Sequence, residues 1–263
     1  MEIENETPVV LSVAGSDSGG GAGIQADLLT ITANGAFGTT AITCLTAQNP
    51  DGVSAIEAMP AAFVREQMEQ VDRYFNVRVL KTGMLFSSEI IEVVAAFIAA
   101  RPALKAVVDP VMVATSGAVL LQTEAIEALR TQLLPKAHLV TPNLDEAAVL
   151  LGSRPRDVDE MGAAARALAT SLQTAVLLKG GHLEAGDELV DILAHPDGRL
   201  HSFKNPRLRQ LHTHGSGCTL ASAIAARMAC GSPIEMAIRE ALTYLHHGMR
   251  APLVLNGKAF IRH

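Results

Sequence analysis

The stretch Leu211-His-Thr-His-Gly-Ser-Gly-Cys-Thr-Leu220 joins a polar, glycine-rich turn to the apolar pattern Cys218, Leu220, Ala221, Ile224, Ala225. That spacing predicts a helix beginning near Gly217. The first N–H groups of a helix have no intrahelical partners and aim together at one point, and Gly215 and Gly217 let the chain turn tightly enough to offer them to an anion. Gly215, Ser216 and Gly217 therefore suit the charged oxygens of a phosphoryl group in transfer better than hydride or acyl chemistry. Cys218 follows at the positive end of the helix dipole, where a thiolate is favoured over a thiol. The same residues also read as a glycine turn with a small cysteine capping a core helix, so the other stretches must decide.

Several of these place polar side chains at the ends of apolar runs. Pro8 to Ala14 ends in the loop Gly15-Ser-Asp-Ser-Gly-Gly-Gly-Ala-Gly23, after which Ile24, Leu28, Leu29 and Ile31 recur at helical spacing. This is strand, glycine loop, helix, yet neither nucleotide fingerprint fits. Gly19 and Gly21 would need a glycine where Ile24 stands, no acid follows between Phe37 and Ala47, and no Lys-Ser/Thr completes a Walker loop after Gly20. The loop instead reads as closing over a substrate, with Asp17 its only charged side chain or equally an Asx-turn residue. Gln48 ends the run Phe37 to Leu45 with its continuation Thr46-Ala-Gln-Asn-Pro50. Its amide can grip the ring-nitrogen and amino edge of an aminopyrimidine, or bond the adjacent turn.

Met84 follows the run Arg78 to Gly83 and serves as a wall of an apolar slot or as core, while Asp109 ends Lys105 to Pro110 ahead of the loop Val111 to Gly117. Asn143 and Glu146 stand three apart at a helix start and share a face. They could hold a hydrated Mg²⁺, or form a capping-box pair with Asn143 at the N-cap. Lys179, beside two glycines after Thr174 to Leu178, reaches a nucleotide phosphate or is a plain surface charge. His212 and His214 have neither a cysteine nor a third histidine at zinc-ligand spacing.

Positioning these groups requires a β/α alternation, and the remaining pattern supplies it. A strand is expected at Val53 to Met59. Helices are expected at Ala61 to Asn76 (Phe63, Met68, Val71 and Phe75 on one face), from the N-cap at Ser87 to Ala100, and at Glu124 to Leu133, Val158 to Leu172, Cys218 to Met228 and Pro233 to Gly248. Glu188 to Phe203 reads as an antiparallel hairpin about Asp197-Gly198, at the sheet edge. In an open α/β sheet, ligands bind at the carboxyl ends of the strands, where Gln48 and Asp109 fall.

Composition excludes other classes. The 263 residues are 49% apolar and 18% charged, enough for one domain, 1–263, with a sizeable core. The longest uncharged run, Leu28 to Pro50, is interrupted by Asn34, Gly35, Gly38 and threonines and reads as buried segment, not membrane span. A net charge of −6 without a Lys/Arg block argues against nucleic acid and for a small-molecule partner. Cysteines 44, 218 and 230 and an acidic N-terminus without a signal-peptide core point to a reducing cytoplasm.

Seven segments taken together carry a resemblance: Ala14 to Asp27, Thr46 to Asn49, Lys81 to Leu85, Asp109 to Met112, Thr141 to Glu146, Lys179 to His182 and Thr213 to Thr219. In this order and spacing they resemble the bacterial hydroxymethylpyrimidine/phosphomethylpyrimidine kinases of thiamine biosynthesis, in the ribokinase-like superfamily. The resemblance implies an α/β fold with a doubly wound, mostly parallel sheet and helices on both faces. It implies ATP with Mg²⁺, and phosphorylation of 4-amino-5-hydroxymethyl-2-methylpyrimidine and then of its monophosphate. Gln48 would hold the pyrimidine edge, with Ala22, Met84 and Val111 lining its slot and Asp17 in the loop that closes on it. Asn143 and Glu146 would organise Mg²⁺ through water, Lys179 would sit near the nucleotide phosphates with Asp109 and Thr213 on the same side, and Gly215 to Gly217 would form the anion hole. Cys218 stands where superfamily sugar kinases mostly carry an Asp as base. His212, where Asn is common, and the tail Leu253 to His263, without the usual Gly-rich close, depart from the pattern. A homodimer is expected by analogy. The rivals are a pyridoxal kinase and a pyrimidine-binding sensor without transfer.

Overall fold

In the computed structural model, residues 6–112, 123–181, 183, 187–208 and 214–263 are described. The frame is a sheet with β1 (Val9–Asp17) at the centre of its first half. β2 (Phe37–Asn49) lies parallel on one side of β1, and on the other follow β4 (Val77–Thr82), β5 (Lys105–Val108), β6 (Leu139–Val140) and β7 (Ala175–Leu178), all parallel. The chain thus reverses its direction of travel across the sheet between β1 and β4, which opens a crevice at their carboxyl ends.

Both edges are antiparallel. β8 (Glu188–Ala194) and β9 (Leu200–Pro206) make the expected hairpin about Asp197-Gly198, with Gly198 at φ 85°. At the opposite edge β3 (Gly52–Ala58) folds back on β2. Sheet order among the described residues is therefore β3-β2-β1-β4-β5-β6-β7-β8-β9. The tail adds a separate hairpin, β10 (Leu253–Leu255) with β11 (Lys258–Phe260).

Side chains alternate along the central strands between two cores. Val10, Val79, Val107, Leu139 and Leu177 face one; Leu11, Leu80, Val108, Val140 and Val176 face the other. Two apolar faces demand two covers. Helices α1 (Gly23–Ala33), α7 (Ser216–Ala229) and α8 (Ile234–Arg250) cover the first. The second is covered by α2 (Ala61–Tyr74), α3 (Ser88–Ala99), α4 (Thr123–Ala128), α5 (Leu144–Leu151) and α6 (Val158–Leu172). This is the doubly wound arrangement.

Three expectations need correction. The helix at Glu124 to Leu133 continues α4 as a π turn, Leu129–Leu133, and a 3₁₀ turn, Leu134–Lys136; Pro135, with no N–H to donate, forces the ladder to change. In α2 the expected Met68, Val71 and Phe75 face the core together with Val64, whereas Phe63 lies off that face and is half exposed. The uncharged run Leu28 to Pro50 is not wholly buried: β2 lies next to the edge and leaves Phe37 and Leu45 about half exposed. Among the described residues no helix is long and apolar enough to cross a membrane.

Candidate active site

Strand ends deliver the polar groups to one edge. β1 ends at Asp17, β4 leads to Met84, β5 to Asp109, β6 to Asn143 and β7 to Lys179, and α7 starts above them at its N-cap Gly215. Gly215 has φ 82°, a left-handed conformation that glycine adopts without strain. The first turn of α7 therefore opens toward the strand ends. Gly217 marks the closest approach, since a Cβ there would lie 3.4 Å from both Asp109 Oδ2 and Lys179 Nζ.

Lys179 Nζ donates to Asp109 Oδ1 at 3.0 Å, and Thr141 Oγ1 donates to the same oxygen at 3.2 Å. Burial pulls the Lys179 ammonium down, but Asp109 and Glu146 outweigh it and hold it above its ordinary value. Glu146 is buried and its Oε2 accepts the Asn143 N–H at 2.8 Å, while Asn143 Oδ1 accepts from the amides of Asp145 and Glu146 at 2.9 Å each. The capping-box reading is thus the one realised. Burial, only partly offset by Lys179 and reinforced by Asp109, pushes the Glu146 carboxyl up to about 7.

Asp109 and Glu146 are two buried carboxyl groups beside one lysine, oxygen donors of the kind a divalent cation takes. No three His, Cys, Asp or Glu among the described residues form a ready cage; a hydrated Mg²⁺, which keeps several waters, needs only one or two carboxylates. Asp109 and Glu146 are the groups that would hold it. Asn143, whose oxygen accepts the two cap amides, would act on it only indirectly, through the N–H it gives to Glu146.

On the other side of the crevice, Asp17 organises the glycine loop. Its Oδ1 accepts the Gly19 N–H at 2.8 Å, its Oδ2 accepts the Ala22 N–H at 2.9 Å, and His214 Nε2 lies 3.2 Å from Oδ2. Gln48 is fixed through its backbone by Ser18, whose Oγ accepts the Gln48 N–H at 2.8 Å and donates to the Gln48 carbonyl at 2.9 Å; its amide nitrogen is 3.5 Å from His214 Nε2. A Cβ on Gly215 would come within 3.6 Å of Ala22 Cα. Asp17, Ala22, Gln48 and Gly215 therefore meet around His214. Met84 lies against Gly15, where a Cβ would be 3.3 Å from its methyl group, and is anchored by Thr43 Oγ1 donating to its carbonyl at 2.6 Å. Val111 enters through its backbone, donating to the Asp109 carbonyl at 2.9 Å. Thr213, His212 and His182 lie outside the described residues.

At Cys218 desolvation opposes the thiolate that its helix position favours. Burial pushes its thiol up to about 11, Lys81 pulling it down only in part while Asp27 and Asp109 push it further up; the Gly23 N–H is directed at the sulfur. Desolvation thus favours the thiol of Cys218 over its thiolate. The sequence reading also gave no role to His214, nor to Lys81 and Asp27, which form a fully buried ion pair. The available signal was a lysine within Val77-Arg-Val-Leu-Lys-Thr82, a strand covered on both faces, where a charge needs a partner.

An open, mostly parallel sheet whose strand ends aim a lysine, buried acids and a helix N-terminus into one crevice defines a doubly wound α/β phosphotransferase. The chain belongs to the phosphomethylpyrimidine kinase family, whose model matches residues 17–261, and the protein is a kinase. It is 47% identical over 95% of its length to the hydroxymethylpyrimidine/phosphomethylpyrimidine kinase of Streptomyces coelicolor, covering 91% of that protein, and 44% identical over 93% to that of Haemophilus influenzae, again covering 91%. With the thiamine biosynthesis bifunctional protein of Geobacter sulfurreducens it shares 50% identity over 92% of its length but spans only 49% of that relative. Among solved structures, the phosphomethylpyrimidine kinase of Clostridium difficile superposes with a TM-score of 0.81 at 37% identity, covering 92% of this chain and 99% of that one. An ADP complex of Bacillus subtilis pyridoxal kinase superposes with a TM-score of 0.90 at 33% identity, covering 98% of each chain.

Proposed function

We infer that this kinase transfers the γ-phosphoryl group of ATP to the hydroxymethyl oxygen of 4-amino-5-hydroxymethyl-2-methylpyrimidine, and then a second one to the phosphate of that product, for thiamine synthesis. The observation that carries the reading is the first turn of α7, with Gly217 against Lys179 and Asp109 and Gly215 against the loop Asp17 to Ala22. Donor phosphates and acceptor ring would meet under one anion cradle. Gln48 would hold the ring edge, Ala22, Met84 and Val111 would bound its slot, and Lys179 with Asp109 and Thr213 would serve the nucleotide side. Mg²⁺ next to Asp109 and Glu146 would neutralise phosphate charge.

In each transfer an O–P bond to the acceptor forms as the bond from the γ-phosphorus to the ADP oxygen breaks. In the first transfer the acceptor hydroxyl also loses its proton, which the thiolate fraction of Cys218 takes. In the second the acceptor is a phosphate already ionised near neutral pH, and no base is needed. An Asp at position 218 would repel that acceptor; a neutral thiol does not. The same reading takes residues 1–263 as one kinase unit, working as a homodimer in a reducing cytoplasm where its three unpaired cysteines persist.

A second reading is phosphorylation of pyridoxal, favoured by the high structural similarity to pyridoxal kinases. The test is incubation with ATP and Mg²⁺ and either the pyrimidine or pyridoxal, with products read by mass spectrometry. Mono- then diphosphate from the pyrimidine supports the first reading. Monophosphate from pyridoxal alone supports the second, and no ATP use would return a binding role without transfer.

A further inference from the structure

Below Cys218 lies a polar cluster that the transfer itself does not touch. Lys81 on β4 and Asp27 on α1 form an ion pair of 2.6 Å with both side chains fully buried. Asp27 Oδ1 also accepts from Ser222 Oγ of α7 at 2.7 Å, and its Oδ2 accepts from Ser12 Oγ of β1 at 2.6 Å. One carboxylate thus joins four elements, and these are the elements that carry or lead to Asp17, Ala22, Met84 and Cys218. Ser222 stands four residues after Cys218 on the same face of α7, so the Asp27–Lys81 pair lies on the side of the helix that bears the sulfur. Gly83 leaves room for the ammonium, since a Cβ there would lie 3.3 Å from Lys81 Nζ.

Stability alone does not account for such a pair. Desolvating two charges costs as much as their attraction returns, and apolar side chains of similar volume would serve the core as well or better. The Lys81 ammonium carries three N–H donors, of which Asp27 engages one. The charged groups about the Cys218 sulfur are Lys81, Asp27 and Asp109, with Lys179 beside Asp109.

We propose that the Lys81–Asp27 pair is a positioning device for Cys218, setting a fixed positive group toward the sulfur while pinning the first turns of α7 to the sheet. Lys81 steadies negative charge on the sulfur, and Asp27 sets how much of that influence is free, because it neutralises the same ammonium. The inference rests on the kinase reading only for the task of Cys218.

Its test needs neither ATP nor substrate. Cys218 in the full-length protein is alkylated with iodoacetamide over a range of pH, and the label is assigned by peptide mass spectrometry to separate it from Cys44 and Cys230. Asp27→Asn, which keeps an oxygen for one of the two serines and offers an N–H to the hydroxyl of the other, should lower the midpoint of the alkylation profile and speed labelling near neutral pH about tenfold. Lys81→Met should raise the midpoint and slow labelling by about the same factor. Ser222→Ala, which keeps both charges, should leave the midpoint in place. A packing role alone would loosen the fold in both charge variants and speed labelling in both, so midpoints that move in opposite directions support the proposal and midpoints that move the same way overturn it. Should Lys81→Met not fold, the Asp27→Asn profile decides: a lower midpoint supports the proposal, an unchanged one overturns it. Opposite movements in a protein that transfers no phosphoryl group would sink the kinase reading and leave the pair's role standing.

Discussion

Asp17 Oδ2 lies 3.2 Å from His214 Nε2, which ties the loop leaving β1 to the turn that starts α7. The two residues are remote in sequence, and their contact closes one wall of the crevice. Burial pushes the Asp17 carboxyl up, but His214 and the amides of Gly19 and Ala22 outweigh it and hold it below its ordinary value. The tie is therefore complete above the ordinary carboxylate pKa and is lost as pH falls through the depressed one. Asp17→Ala leaves three donors without their acceptor, and we expect the KM for the pyrimidine to rise about tenfold, or about 1.4 kcal/mol, with the KM for ATP unchanged. Steady-state kinetics on each substrate check this; an equal rise in both would contradict the wall.

With the Cys218 thiol pushed up to about 11, its thiolate fraction grows about tenfold per pH unit between pH 7 and 9. The alcohol step should climb with it, while the phosphate step levels off once the monophosphate has lost its second proton near pH 6. Cys218→Ala should slow the alcohol step at least about 100-fold and the phosphate step far less. Separate initial rates with the alcohol and with its monophosphate measure this, and equal losses in both would refute a base role for Cys218.

Gly215 stands at φ 82°, and a Cβ there would collide with the Gly21 carbonyl oxygen. Gly215→Ala combines left-handed strain of about 1–2 kcal/mol with a push that separates the substrate loop from the anion cradle. The expected result is a melting temperature lower by about 4–8 °C and a kcat reduced by about 100-fold. A lowered melting temperature with an intact kcat would show that Gly215 serves the fold and not the cradle.

Asp191 is buried and accepts the Gly180 N–H at 2.9 Å, next to Lys179 in sequence. Burial, partly offset by that amide and by Lys179, pushes its carboxyl up from 3.8 to about 6. Between these values the folded chain keeps a proton that the unfolded chain has released, so stability is full below about pH 4 and falls as pH rises to about 6, by about 3 kcal/mol at most. Asp191→Asn keeps an acceptor for Gly180 and should flatten that slope. Urea midpoints of both proteins from pH 4 to 7 test it, and parallel curves would rule it out.

Local signals were legible where one residue settles one feature. Asp157 accepts the Glu160 N–H and starts α6 at the expected residue, and the Asn143-x-x-Glu146 spacing forms the cap it suggests. Pro135 could have warned of the change from α to π winding, but propensity does not say whether a helix stops or rewinds. The α2 face was read correctly at Met68, Val71 and Phe75 but Phe63 was placed on it in error, because adjacent apolar residues at 63 and 64 leave the start of the stripe ambiguous and only packing against the sheet chooses.

By itself, the sequence determined the order of strands and helices as far as α8, though not the tail hairpin of β10 and β11, together with the glycine turns and which polar groups reach the carboxyl edge, because each depends on periodicity or backbone chemistry within a few residues. Only the tertiary structure decided that Asp27 finds Lys81, 54 positions away, and that Cys218 is desolvated in a way that favours its thiol. Partner choice and desolvation depend on what surrounds a group in space, and a local pattern carries no record of the residues that folding brings from elsewhere in the chain.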